Sequence, residues 1–221
     1  MSPCSRGVSM YGNIRSTPDG IRELEPAEYG EAARVVTEAL LHDPGWVAVG
    51  PDRTGHRRFV MLRFHRAALG VTHRYGRPIY GAFQNGSLVG VAATFAVGRY
   101  PPPQHTFLQY VPGFLAAGPG PSVRGLRFSA AMEKGHPHDA HVYLWHLAVD
   151  PAAQRGGIGR ALLARVFEDA AGAAAPVWLE TANPANVPYY SSNGFEEVGR
   201  ARLPRGATMW FMRRRAATGA A

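Results

Sequence analysis

The sequence predicts a single mixed α/β domain over residues 20–215, and three observations carry that expectation. Short β-rich apolar runs alternate with stretches whose apolar residues recur every three to four positions, the period that lays one stripe along a helix. The run 142–149 is apolar except for His146, as in a central strand covered on both faces. A turn containing Gly156, Gly157 and Gly159 then leads straight into another helical stretch.

Taken in order, residues 20–25 alternate apolar and charged side chains like an edge strand, and Pro26 suits a first helical turn. Ala32, Val35, Val36, Ala39 and Leu40 keep helical spacing until His42-Asp43-Pro44-Gly45 stops it. A second helix is expected over 56–69, with Phe59, Leu62, Ala67 and Leu69 on its buried face. Residues 78–83 and 88–97 flank Asn85-Gly86, the pair best suited to the positive φ angles of a tight hairpin. Five prolines between 100 and 121 predict a loop with one short helix near 106–116. A helix over 123–134, terminated by Gly135 and Pro137, follows. The last third reads as strand 142–149, helix 157–171, strand 177–181, short helix 185–192 and closing strand 207–213.

Composition narrows the function classes. The net charge is +8, but 23 of the 24 basic residues are Arg, Lys134 being the exception, and the one basic triplet is Arg213-Arg214-Arg215. No aromatic and basic residues interleave, so nucleic acid is not the expected partner. No apolar run reaches the eighteen residues of a membrane span. Residues 1–19 lack an apolar signal-peptide core and are expected to form a flexible leader, with 216–221 a flexible tail and a cytoplasmic location. Cys4 stands alone in that leader, which excludes an intramolecular disulfide and disfavours a catalytic thiol.

The glycine-rich turn carries the chemistry. A helix start presents free N–H groups and a positive dipole end, and glycines let a diphosphate approach the backbone. A Walker loop needs Lys after its last glycine, and Gly159 is followed by Arg160. A dinucleotide fingerprint begun at Gly157 fails at Leu162, and one begun at Gly156 fails at Ile158.

Gln154, Gly157 and Gly159 fill the Gln/Arg-x-x-Gly-x-Gly/Ala motif in register, and here the sequence resembles the GCN5-related N-acetyltransferase (GNAT) superfamily. The resemblance runs from Tyr143 to Met212 through Leu147-Ala148-Val149-Asp150-Pro151, Leu179-Glu180-Thr181, Asn186, Tyr189-Tyr190 and Asn193-Gly194-Phe195. A finer resemblance, to the branch containing puromycin N-acetyltransferase, rests on His42-Asp43-Pro44 with Trp46 and on His136-Pro137.

The resemblance implies a GNAT-like, mostly antiparallel sheet flanked by helices and splayed between its fourth and fifth strands. It implies acetyl-CoA as co-substrate, with Leu147, Ala148 and Val149 along the pantetheine and the backbone of Gln154, Arg155, Gly156, Gly157, Ile158, Gly159 and Arg160 at the pyrophosphate. Asn186 would touch the pantetheine arm or, alternatively, cap the turn that follows it. Tyr190 is the expected acid for the departing thiolate, with Tyr189 a packing residue. His146, ionisable within a buried run, is the candidate base, and Glu180 is its competitor. His136, His138, Asp139 and His141 read as a solvated connection, with no metal expected. Trp46, Tyr75, Tyr100 and Phe107 either line an acceptor pocket or cover the core. The expected activity is direct acetyl transfer in a ternary complex to a small-molecule amine, the prolines of 100–121 covering the pocket. The alternatives are a protein or peptide amine and a non-catalytic acyl-CoA sensor, and the homodimer is the oligomer to test for.

Overall fold

A computed structural model describes residues 18–216. Cys4, most of the expected leader and all but the first residue of the expected tail lie outside the described residues. Seven strands form one sheet: β1 (Gly20–Glu23), β2 (Ile79–Gln84), β3 (Ser87–Phe95), β4 (Val142–Val149), β5 (Val177–Thr181), β6 (Glu196–Arg202) and β7 (Thr208–Arg214). Their spatial order is β1-β2-β3-β4-β5-β7-β6, and every pairing is antiparallel except β4 with β5. The expected mixed, mostly antiparallel sheet is therefore present.

The β2–β3 hairpin forms where the Asn-Gly pair asks for it. Asn85 and Gly86 have φ of 50° and 74°, and Gln84 pairs with Ser87 across the turn. Helix α1 (Tyr29–Leu40) lays Ala32, Val35 and Val36 against Val91, Ala93 and Ala148 on one face of the sheet. A short α2 (Pro44–Val49) follows, capped by the Asp43 carboxylate, which accepts the Gly45 N–H at 2.8 Å. The sequence expectation had the chain stop at Asp43-Pro44 without restarting. Those two residues instead supply an N-cap and a proline at the first helical position, a start signal as well as a stop.

Helix α3 (Thr54–Val71) buries Arg57, Val60, Met61, His65, Ala68 and Leu69. This corrects the expected buried face, because Phe59 is exposed and carries the Arg63 guanidinium 3.6 Å over its ring. The apolar pattern missed two polar members. Arg57 donates to the carbonyls of Leu41 and Pro51 at 3.1 and 3.0 Å, and His65 Nδ1 meets Thr37 Oγ1 at 2.9 Å.

Residues 100–135 form an insert over the same face: a 3₁₀ turn at Gln104–Tyr110, then α4 (Val111–Ala117) and α5 (Pro119–Gly135). On the other face α6 (Ile158–Gly172) packs Leu162, Leu163 and Val166 against Leu144, Leu179 and Met212, and α7 (Asn186–Ser192) adds Tyr190. Strand β6 was not expected from the sequence. Its exposed face and charged residues, Glu196, Glu197, Arg200 and Arg202, suit a sheet edge rather than the apolar signal of a central strand. The basic triplet is engaged locally: Arg213 pairs with Asp139, Arg215 with Glu196, and Arg214 lies over the Phe167 ring.

No helix among the described residues is long and apolar enough to cross a membrane.

At the end of α5, a methyl group on Gly135 would overlap the Phe211 ring of β7. Gly135→Ala should therefore destabilise the fold by about 1–3 kcal/mol, the usual cost of overpacking. Urea denaturation checks this, the expected outcome being a lower midpoint at an unchanged slope.

Candidate active site

The site begins where two strands part. β4 and β5 pair only at Val142–Val177 and Tyr143–Trp178, and from Leu144 onward β4 has no partner on that side. Opposite, its pairing with β3 slips by one residue, from Ala93–His146 to Thr94–Leu144, leaving Trp145 as a bulge. The bulge turns two successive side chains, Trp145 and His146, toward the insert, their rings 5.4 Å apart. Farther along, the Asp150 N–H goes to Val89 O of β3 at 2.8 Å. By the alternation of an antiparallel ladder, Ala148 then addresses β3 while Leu147 and Val149 turn their amides to the gap. Ala148 is buried against α1, so its part in the expected contact set reduces to holding the strand.

The glycine loop follows directly. Gln154 Nε2 donates to Val149 O at 3.1 Å, tying the loop to the end of β4. Arg155 has φ of 65°, and Gly157, the residue before α6, has φ of 86°. No atom lies within 4 Å of a Cβ built on Gly157, so its glycine requirement is conformational. Gly159 differs: a Cβ there would come 2.8 Å from Tyr189 Oη, a requirement for close approach. With Gly157 left-handed, Ile158, Gly159 and Arg160 open the 15-residue α6, whose first-turn N–H groups lack helical partners. This is a cradle of the kind that holds phosphate oxygens.

Between the parted strands and the insert lies a cavity of about 410 Å³. Trp46, Phe64, Tyr100, Phe107, Tyr110, Phe114, Tyr143 and Trp145 supply much of its wall, and among the described residues only Asp43 and Glu180 bring charge to its lining. Three of the four aromatics proposed from the sequence line it. The fourth, Tyr75, points elsewhere and pairs with His105 Nε2 at 2.9 Å. The insert roofs this cavity, as the proline-rich stretch suggested.

His146 and Tyr190 both line the cavity, from β4 and from α7. Burial pushes His146 down to about 4, and its Nδ1 has no hydrogen-bond partner among the described residues. A ring so weakly basic is poorly matched to an ammonium of pKa near 10. Burial drives the Tyr190 phenol up, with the neighbouring Tyr189 and Asp43 adding to it, so it stays protonated at neutral pH. Asn186 Nδ2 reaches Thr181 Oγ1 at 3.4 Å, and it is Asn183 Oδ1 that accepts an N–H, from Ala185, at the entrance to α7. Asn186 is thus the first residue of α7 and not its cap, and no side chain caps that helix.

One constellation escaped the sequence reading. Glu180, His136 and His141 converge beside Tyr143, with Glu180 Oε1 accepting from Trp178 Nε1 at 2.7 Å and lying 3.4 Å from His136 Nδ1. His136 and His141 face each other through Nε2 at 3.0 Å. The connection read as solvated is half-buried at His136 and buried at His141, while His138 and Asp139 are exposed. The closeness of the two histidines in sequence was the available signal. No group of three His, Cys, Asp or Glu among the described residues is placed to hold a metal.

Comparison with known proteins agrees with this geometry. Residues 123–197 match the family model of the acetyltransferase (GNAT) domain. Over 104 residues the chain is 34% identical to the N-alpha-acetyltransferase RimI of Mycobacterium tuberculosis, an alignment covering 46% of this chain and 65% of that protein. A Corynebacterium glutamicum structure described as histone acetyltransferase HPA2 and related acetyltransferase superposes with a TM-score of 0.70 at 19% identity, covering 93% of this chain and all of that one. The putative acetyltransferase yncA of Salmonella typhimurium, solved with acetyl-CoA, gives 0.54 at 21% identity, covering 93% and 98%.

The buried imidazoles set a pH dependence of stability. Burial lowers both His65 and His146, for His65 with help from the His146 charge. The unfolded chain binds protons near the ordinary 6.5 that the folded chain refuses, so stability is full above that pH and is lost as pH falls toward 4. His146 alone accounts for on the order of 2–3 kcal/mol of that loss. Melting temperature measured from pH 7 to 4 should fall less steeply in His146→Gln than in the unsubstituted protein.

Proposed function

We propose that this chain, which belongs to the GNAT family of acetyltransferases, moves an acetyl group from acetyl-CoA to the amine of a small molecule held in its cavity. The observation that carries the reading is the place where the parted strands open: a roofed, aromatic-walled cavity with two carboxylates and no Arg or Lys among its lining residues. Such a wall suits a cation with an apolar body, since ring faces and carboxylates attract an ammonium and repel an anionic acceptor.

The donor half follows from the backbone. The N–H groups of Gly157, Ile158, Gly159 and Arg160 would receive the pyrophosphate, with Gln154, Arg155 and Gly156 shaping the loop. Leu147 and Val149 would pair with the pantetheine amides as a missing strand would, and Asn186 would meet the same arm. On this reading the thioester would lie in the gap, where an N–H of β4 could meet the carbonyl oxygen as it gains charge. The amine would attack directly, since no cysteine among the described residues lines the cavity. The departing thiolate would take its proton from Tyr190, which burial keeps protonated at neutral pH.

A second reading, an α-amine on a peptide, draws support from the name of the M. tuberculosis relative, of whose length the aligned part of this chain spans 65%. The insert over the cavity disfavours it. A thiol-release assay over hydrophobic amines, polyamines, amino acids and short peptides tests the choice, and turnover confined to peptides would overturn the small-molecule reading.

Two outcomes follow for the donor half. Acetyl-CoA should raise the melting temperature, by RT ln(1 + [L]/Kd) in free energy. Gly157→Val, forced out of the left-handed region, should fold but lose that shift in thermal denaturation. Tyr190→Phe should lower turnover about 10²–10⁴-fold with acetyl-CoA binding intact, whereas Tyr189→Phe should lose far less; single-turnover kinetics read the chemical step itself.

A further inference from the structure

We infer that Glu180 is the base that takes the proton from the acceptor ammonium, and that His136, anchored by His141, holds it ionised and aimed. The inference rests on the proposed acetyl transfer and concerns how its acceptor half works.

The hydrogen-bond roles can be assigned from one end. His141 Nδ1 lies 2.7 Å from the Asp139 carbonyl oxygen, which can only accept, so Nδ1 carries a hydrogen. Burial lowers His141, so the ring is neutral and its Nε2 is a bare lone pair. The 3.0 Å contact to His136 Nε2 then requires the hydrogen to sit on His136. With Nε2 already protonated, the 3.4 Å contact of His136 Nδ1 with Glu180 Oε1 requires a hydrogen carried by one partner or the other. The proposed pair puts it on His136, an imidazolium facing the Glu180 carboxylate. Backbone geometry at Asp139 thus sets the tautomer from which this pair is built.

Both described hydrogen bonds of Glu180 use Oε1, from Trp178 and His136. Tyr143 lies within hydrogen-bonding reach of the same carboxylate, and Glu180 lines the cavity. The groups facing this carboxylate from each packed element are Tyr143 on β4, Tyr100 on the insert and His136 at the end of α5, while β7 presents Phe211 opposite it. Burial, with the Glu180 charge second, raises both tyrosines, Tyr100 to about 12, so they remain neutral hydroxyls. Farther out stand Asp139 and Arg213, paired with each other. His146 and Asp43 occupy other parts of the wall, and Asp43 is committed to capping α2.

The proton step balances. One N–H bond of the ammonium breaks, an O–H bond forms at Glu180 Oε2, and the electron pair left on nitrogen attacks the thioester carbonyl. As the C–S bond breaks, Tyr190 protonates the thiolate and regains a proton from the second N–H bond of the new amide nitrogen. The hydrogen between Oε1 and Nδ1 stays on His136, whose charge makes no net demand on the cycle. The proton leaves Glu180 for water when the product departs.

Glu180→Gln keeps the shape and the Trp178 bond but cannot accept a proton. Its kcat/KM for the amine should fall about 10²–10⁴-fold at pH 7 with the acetyl-CoA melting shift unchanged. The deficit should shrink steadily as pH approaches the pKa of the amine, because the acceptor then arrives neutral. A deficit constant with pH, or none, overturns the assignment of the base. His136→Ala should lower kcat about tenfold or more without changing the KM for acetyl-CoA. Ring-nitrogen NMR gives a reading independent of turnover: His136 should be doubly protonated at pH 7 in the unsubstituted protein and singly protonated in Glu180→Gln. A neutral His136 in the unsubstituted protein overturns the charge assignment. Failure of the unsubstituted protein to acetylate any amine, with acetyl-CoA still bound, removes the base role together with the proposed function, while the NMR reading stands by itself.

Discussion

Two strands that pair for only two residues and then separate are the constraint on which the remaining structure depends. β4 and β5 stay together at Tyr143–Trp178 and diverge at once, which strips β4 of a partner from Leu144 onward. Buried backbone amides without partners are costly, so the gap is a standing demand for something that pairs like a strand. The bulge at Trp145 belongs to the same geometry, since it increases local twist and aims Trp145 and His146 into the space so opened. The glycine cradle at one end of the gap and the roofed cavity beside it become two halves of one site because β4 runs through both.

Much of this was legible in the sequence, for identifiable reasons. Asn85-Gly86, the run 142–149 and the turn at Gly157 are local signals, and each acts on the backbone within a few residues of itself. Strand β6 was not legible because an edge strand with charged residues lacks the apolar alternation that marks its central neighbours. Helix α2 was hidden because Asp43-Pro44 serves to end one helix and begin another. The buried face of α3 was misplaced because Arg57 and His65, which a hydrophobic count leaves out, are buried by pairing with carbonyls and a hydroxyl.

The site divides along the same line. Its proposed donor half lies, apart from Asn186, in one stretch from Leu147 to Arg160 and was read from its motif. Its acceptor half joins residues far apart: His136 and Glu180 meet across 44 positions, and the aromatic wall draws on α2, α3, the insert and β4. No spacing rule spans such distances, so Trp46, Tyr100 and Phe107 were readable only as pocket or core, and His136 with His141 only as a loop. Physical chemistry alone would have favoured His146 as base from its place in the strand. Its immersion lowers it to about 4 and makes it a weak proton acceptor, although it lines the same cavity as Glu180.

The bulge also bears on how such a chain can change over generations. Because Trp145 and His146 face the same way, loss of either would only turn the bulge into regular alternation with Leu144 and Leu147 still toward α6, whereas loss of a residue elsewhere in β4 would exchange the faces of its two ends. Length outside the bulge is therefore fixed even where side-chain identity is free. The insert over the cavity has no such ladder to keep in register, and its helices end in surface turns. Drift in what the protein accepts has its easiest route through additions and losses in that roof, with the regular part of the strand beneath held to a constant count.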